Sequence, residues 1–149
     1  MNTTLLYILL ALAAGICIPT QAGINAQLSH LIRSPTLAAG ISFAVGTVCL
    51  AVYVLASRIP FPSTAALSGA PWWIWSGGAL GAFFVASTIF LVPKLGATTM
   101  LALVLAGQMI TSLVLDHLGA FAFPVHPISL PRVLGVLMVA AGVVLIQKY

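Results

Sequence analysis

Five long apolar stretches constrain this chain more strongly than any other feature of its sequence. A bilayer core about 30 Å thick requires roughly 20 apolar residues for a spanning helix. The stretches cover residues 4–28, 36–56, 72–92, 97–117 and 131–147. Hydrophobic residues make up 62% of the 149 residues and charged residues only 4%, too little polar surface to cover a soluble globule. The sequence therefore predicts an all-α integral membrane protein of five transmembrane helices.

The connections between the stretches are short, and the last stretch is the shortest. Ser34 and Pro35 are typical of a helix start, because the hydroxyl caps the helix and proline is tolerated in the first turn. No connection is long or polar enough to divide the chain, so residues 1–149 are predicted to form one domain. The apolar part of the last stretch covers only 133–146, which leaves a re-entrant or interfacial segment as the alternative to a fifth span.

The first stretch is interrupted by a proline and two amide side chains. Pro19 removes one backbone hydrogen bond, so the helix is expected to bend there. Gln21 and Asn25 are four residues apart and share a helix face. Polar groups that face lipid are costly, so this face should contact protein or water. We interpret Gln21 and Asn25 as part of a substrate-binding surface.

Trp73 and Gln108 are further candidates for the lining of a binding cavity. Trp73 is either an aromatic anchor at the membrane interface or a cavity residue, on a stripe with Gly77 and Gly81. These two glycines would allow a close approach between helices that move against each other. Gln108 either forms an interhelical hydrogen bond or lines the cavity. Hydroxyl groups could complete a site for a small polar molecule without fixed charge; they belong to Ser42, Thr47, Ser87 and Thr88.

Asp116 is the only acidic residue of the chain. A carboxylate inside a membrane is the usual group for proton or cation coupling. However, Asp116 lies close to the predicted end of the fourth helix, so the structural interpretation is an interfacial ion pair with Arg132 or Arg58. A role in coupling is the alternative.

Enzymatic and nucleic-acid functions find little support in the sequence. The histidines are isolated, without cysteines or carboxylates at metal-ligand spacing, and no phosphate-binding glycine-rich loop follows a strand. The net charge of +4 comes from cations that are spread singly along the chain rather than clustered. We therefore expect no catalytic residues, no metal, no cofactor and no nucleic-acid partner.

The distribution of cations gives almost no orientation bias. With five alternating spans, Arg33, Lys94 and Lys148 lie on one side of the membrane, and Arg58 and Arg132 lie on the other with the amino terminus. Lys and Arg normally accumulate on the cytoplasmic side. The near balance favours dual topology, in which two copies insert in opposite orientations and pair antiparallel. A parallel or heteromeric pair with fixed orientation is the rival.

The last stretch carries two glycines at a spacing that suits helix packing. Gly135 and Gly142 lie seven residues apart, so they share a helix face. This face is predicted to contact another helix. The contact lies either within the protomer or between two copies.

A series of short motifs occurs in a characteristic order along nearly the whole chain. They are Gly15-Ile-Cys-Ile-Pro19-Thr-Gln21-Ala-Gly-Ile-Asn25-Ala-Gln-Leu28, Ser34-Pro35, Ala39-Gly-Ile-Ser42-Phe43, Gly46-Thr47, Pro71-Trp72-Trp73, Gly77-Gly78, Gly81, Val92-Pro93-Lys94-Leu-Gly96-Ala97, Gly107-Gln108, Asp116-His117, Gly135 and Gly142. In order and spacing they resemble the YdcZ-like family of the drug/metabolite transporter superfamily. The resemblance implies a multi-pass protein of the bacterial inner membrane, equivalent to half of a ten-helix transporter. It also implies a two-chain transporter with the last helix at the dimer contact.

The predicted function is small-molecule transport, most simply export, by a dimer that alternates access around a polar site at mid-membrane. The related small multidrug resistance proteins carry a glutamate in their first helix, whereas this chain has Gln21 and Asn25 there. An amide site suits neutral, zwitterionic or hydrogen-bonding solutes. The alternative is a non-transporting membrane subunit that stabilises or regulates a partner membrane protein.

Overall fold

The computed structural model describes residues 3–148, without the side chains of residues 65 and 66, and its regular structure is helical. The α-helices are α1 (Thr3–Ile32), α2 (Pro35–Ala56), the short α3 (Thr64–Ser68), α4 (Ser76–Leu95), α5 (Ala97–Leu118) and α6 (Leu130–Lys148). Two short 3₁₀ turns cover Trp72–Trp75 and Ala120–Ala122. Within the described residues, five helical segments are long and apolar enough to cross a membrane: Thr3–Ile32, Pro35–Ala56, Trp72–Leu95, Ala97–Leu118 and Leu130–Lys148. The predicted all-α membrane fold is confirmed.

The ends of two predicted helices were placed too early. Helix α1 continues to Ile32 rather than ending at residue 28, and Arg33 then turns the chain with a φ of 55°. Helix α4 continues through Pro93 to Leu95, so the proline lies in its last turn, two residues before the helix ends. The residue that ends α4 is Gly96, whose φ of 77° favours glycine.

Helix α2 begins as its sequence predicts. Ser34 has an extended backbone, and its side-chain oxygen accepts a hydrogen bond from the Leu37 N–H at 3.2 Å. Pro35 occupies the first helical position, where its missing N–H has no intrahelical partner to lose. The third span differs in detail, because it opens with the 3₁₀ turn Trp72–Trp75 before α4 begins.

Contacts divide the chain into two units, Met1–Pro93 and Lys94–Tyr149. In the first unit, Ala38 and Ala39 of α2 pack with Ile89 of α4 in a small buried core. Helices α2 and α4 also approach at Gly81, where a Cβ atom would lie 3.5 Å from the Phe43 Cζ. The small side chains of Ala38 and Ala39 therefore allow Ile89 to pack against α2, whereas the 3.5 Å at Gly81 is an ordinary van der Waals contact. A Cβ built on Gly77 meets no described atom within 4 Å outside its own helix backbone, so the close approach at Gly77 stays a prediction.

In the second unit, α5 packs against α6, with Met100 and Val143 among the buried residues. Gly119 ends α5 in the left-handed conformation, with a φ of 59°. A Cβ atom at Gly119 would come within 2.6 Å of the Val125 Cγ2, so glycine is needed for both its backbone and its lack of a side chain. This turn brings the segment that follows α5 back over the end of the helix.

Candidate functional site

Gln21 and Asn25 on α1 point toward the same residue of α2. Asn25 Nδ2 donates a hydrogen bond to Ser42 Oγ at 3.0 Å, and Gln21 Nε2 donates a longer one to the same oxygen at 3.5 Å. Asn25 is buried, with 5% of its surface exposed, whereas Gln21 remains exposed. The four-residue spacing that places both amides on one face of α1 therefore also places both against α2.

A cavity of about 240 Å³ opens beside this cluster. Its walls combine the polar groups of the cluster with apolar side chains of α2, and its lining residues are Gln21, Ser42, Phe43, Gly46, Thr47 and Leu50. The volume approaches the lower end of the range that is typical of small-molecule sites, roughly 300 to 1,000 Å³. The cavity can therefore hold a small polar solute.

Two further openings also border Gln21. One is a cavity of about 30 Å³ between α1 and α4, enough for about one water molecule, lined by Ile18, Gln21, Ala22, Asn25, Phe84, Val85 and Thr88. The other is a groove along α1 whose lining residues all belong to that helix: Ile16, Cys17, Thr20, Gln21, Ile24 and Asn25. Gln21 therefore borders all three openings.

Three threonines at these openings use their hydroxyl protons on their own helices. The Thr20 hydroxyl donates to the Ile16 carbonyl at 2.9 Å. The Thr47 hydroxyl donates to the Phe43 carbonyl at 2.8 Å, four residues back along α2. The Thr88 hydroxyl donates to the Val85 carbonyl at 2.8 Å, three residues back along α4. The threonine oxygens, rather than their protons, are therefore left for other groups.

The predicted site residues fall into different parts of the structure. Gln21 and Asn25 lie together, whereas Trp73 is 45% exposed and does not line the three openings around Gln21. Gln108 is exposed on α5, in the second unit. Sequence reasoning did not select the cavity residues Phe43 and Leu50. Phe43 lies four residues before Thr47 and Leu50 lies three residues after it. This helical spacing places both residues on the face of Thr47, so they could have been predicted as its neighbours.

Asp116 and Arg132 form an ion pair between α5 and α6. Of the two predicted partners, the structure pairs Asp116 with Arg132, and both side chains are partly exposed, at 26% and 34%. Arg132 also donates through Nη1 to the His126 carbonyl at 2.6 Å. The pair borders a cavity of about 340 Å³ whose other lining residues are Met109, Ser112, Leu113, Gly135 and Val136.

The histidines near this pair hold the segment between α5 and α6. The His126 N–H donates to the Asp116 carbonyl at 2.9 Å, and His117 Nδ1 accepts from the Ile128 N–H at 3.3 Å. Within residues 3–148 no group of three or more His, Cys, Asp or Glu side chains could hold a metal ion. The arrangement is that of a structural connection between two helices.

Comparison with known proteins agrees with this architecture. Residues 6–145 match the family model described as "Putative inner membrane exporter, YdcZ". The inner membrane protein YdcZ of Escherichia coli (strain K12) is 30% identical over 82 residues, which are 55% of this chain and 54% of that protein. The matched region therefore spans about half the length of this relative. No solved structure matches the chain.

The family match and the five apolar helices agree on a multi-pass protein of the inner membrane. The family is one of membrane exporters rather than enzymes. Because the match covers almost the whole chain, it also includes α1 and α2, which carry the cluster of Gln21, Asn25 and Ser42. The chain belongs to the YdcZ family of inner membrane exporters, within the drug/metabolite transporter type.

Proposed function

We propose that this protein exports small polar molecules that bind at the amide cluster of Gln21, Asn25 and Ser42. The observation that carries the proposal is the convergence of two amides on one hydroxyl beside a cavity of about 240 Å³, in helices long enough to span a membrane. Polar side chains inside membrane-spanning helices are rare and commonly mark a substrate pathway, so the cluster is a candidate binding site. The family of inner membrane exporters supports transport as that role.

The working unit is proposed to be a dimer that alternates access to this site. Nothing described lies within 4 Å of a Cβ built on Gly135 or Gly142, although Gly135 also borders the cavity beside the Asp116–Arg132 pair. An antiparallel pair of copies, or a pair with a homologue, would place Gly135 and Gly142 at the dimer contact. Trp73 and Gln108 stay predicted members of the lining, and Pro19 stays the predicted bend. Coupling stays the alternative role predicted for Asp116.

Transport is tested with the purified protein in proteoliposomes. The vesicles are preloaded with labelled neutral, zwitterionic, cationic and anionic metabolites, and efflux is compared with that from protein-free vesicles. We expect efflux of neutral or zwitterionic solutes. An absence of efflux for every solute, together with copurification of another membrane protein, would instead support the non-transporting subunit.

The dimer is predicted to have dual topology, because Arg33, Lys94 and Lys148 oppose Arg58 and Arg132 across the membrane in nearly equal number. Carboxyl-terminal fusions to alkaline phosphatase and to green fluorescent protein are both expected to be active. In matched fusions carrying Arg58→Ala, the balance should move toward one orientation, since one side loses a cation. If the unmodified chain gives activity with only one of the two reporters, the dual-topology proposal is wrong.

A further inference from the structure

We infer that the amide cluster recognises neutral solutes through their N–H and O–H groups, because the polar atoms around it are mainly hydrogen-bond acceptors. The inference names the substrate class for the proposed function and rests on that function. It follows from how the protons of the cluster are already used, which the hydrogen bonds of α1, α2 and α4 define.

The two amides direct their nitrogen atoms to the same oxygen. Gln21 Nε2 and Asn25 Nδ2 both donate to Ser42 Oγ, which occupies the two acceptor positions of that hydroxyl. Among residues 3–148, neither amide oxygen has a hydrogen-bond donor as a partner. Ser42 therefore positions the amides so that their oxygen atoms remain available.

The amide oxygen of Asn25 is accessible although the residue is almost fully buried. In the described part of the chain, no buried side-chain nitrogen or oxygen lacks a hydrogen-bond partner. Since Asn25 Oδ1 has no partner, it must retain accessible surface, and Asn25 borders both the small cavity and the groove on α1. The oxygen can therefore accept a proton donor that enters these openings.

The threonines add to this excess of acceptors. Thr20, Thr47 and Thr88 donate their hydroxyl protons to backbone carbonyls, so each presents only oxygen lone pairs. The remaining donors are one N–H on each amide and the Ser42 proton. The openings are therefore bordered by five available acceptor oxygens, two from amides and three from threonines, but by only three available donor protons.

The same openings lack a charged partner for an ion. No acidic or basic side chain is among the described residues that line them. Moving an unpaired ion into an apolar environment is far more costly than moving a neutral polar group. A neutral solute with N–H or O–H groups therefore fits the cluster better than an anion or a cation.

The test uses three ureas as probes of the protein in lipid bilayers. Urea has four N–H groups, 1,3-dimethylurea has two and tetramethylurea has none, whereas all three have a carbonyl acceptor. The side-chain ¹³Cδ signals of labelled glutamine are recorded by solid-state NMR, and Gln21→Met identifies the Gln21 signal. Gln27 and Gln147, which belong to no predicted binding site, serve as internal controls in the same sample.

Urea and 1,3-dimethylurea are expected to shift the Gln21 signal at concentrations at which tetramethylurea shifts it at least about tenfold less. A site left with unpaired acceptors loses roughly that factor in affinity. Guanidinium, which has the shape of urea but a positive charge, should shift the signal less than urea does. The Gln27 and Gln147 signals should remain unchanged.

Ser42 is a positioning residue in this scheme, and its variants separate positioning from folding. Ser42→Ala should abolish the difference between urea and tetramethylurea, because the amides lose their shared acceptor. Ser29→Ala, on α1 and outside the lining of the openings around Gln21, is the matched control and should keep the difference. Helical content by circular dichroism should be the same in both variants.

The inference is overturned if the Gln21 signal does not respond to urea, if tetramethylurea acts as strongly, or if guanidinium acts more strongly than urea. These results are independent of vesicle efflux. A selective Gln21 response without efflux of any metabolite would remove the transport function and leave the recognition by donors in place. Efflux without a selective Gln21 response would overturn the recognition by donors and leave the transport function in place.

Discussion

Replacing Gln21 with methionine is expected to lower the efflux of the transported solutes by about tenfold or more. Methionine keeps the length of the side chain but removes the amide that borders the 240 Å³ cavity and donates to Ser42. Leaving a polar group of a bound, desolvated solute without its hydrogen-bond partner typically costs about 1–3 kcal/mol, which is roughly a 5- to 150-fold change. The measurement is the initial efflux rate from proteoliposomes, normalised to reconstituted protein.

The matched control for this variant lies on the same helix. Gln27 is exposed on α1 and does not line the cavities around Gln21, so Gln27→Met should transport at the wild-type rate. Because Gln21 is itself exposed in its unit, its replacement should leave helical content unchanged. Wild-type efflux from the Gln21→Met protein would show that the solute does not bind at the amide cluster. Gln108→Met and Trp73→Leu would then test the other predicted lining residues.

Replacing Arg132 with methionine is expected to destabilise the unit formed by α5 and α6. The change leaves Asp116 without its cation and removes the hydrogen bond to the His126 carbonyl. Breaking a buried ion pair costs about 3–5 kcal/mol, and an exposed pair contributes about 0–1 kcal/mol. With both side chains only partly exposed, we expect a loss of about 1–3 kcal/mol between these limits. Unfolding in mild detergent, followed by circular dichroism, measures it.

A double-variant cycle isolates the ion pair from other effects. Asp116→Asn combined with Arg132→Met should be more stable than Arg132→Met alone, because the uncompensated carboxylate is gone. Arg58→Met is the control, since Asp116 is the only acidic residue and is already paired with Arg132. An Arg132→Met protein as stable as the wild type would show that the pair contributes nothing.

The Asp116→Asn protein also addresses coupling, because unchanged efflux against a proton gradient would dismiss that role.

The sequence by itself determined the membrane class, the helices and the polar face of α1. Hydrophobicity and the helical repeat are local properties, so they can be evaluated along the chain without knowing which helices are neighbours. Gln21 and Asn25 share a face for that reason alone. The start of α2 at Ser34 and Pro35 was equally predictable, since helix capping depends only on adjacent residues.

Only the tertiary structure decided what these residues contact. Ser42 is the shared acceptor because α1 and α2 pack with the amide face of α1 turned toward Ser42. Sequence spacing does not define how one helix is rotated about its axis relative to its neighbour. The choice of Arg132 over Arg58 for Asp116 depends in the same way on the packing of α5 against α6. Local patterns define each helix and its polar face, whereas the contacts across helices depend on packing between residues distant in the chain.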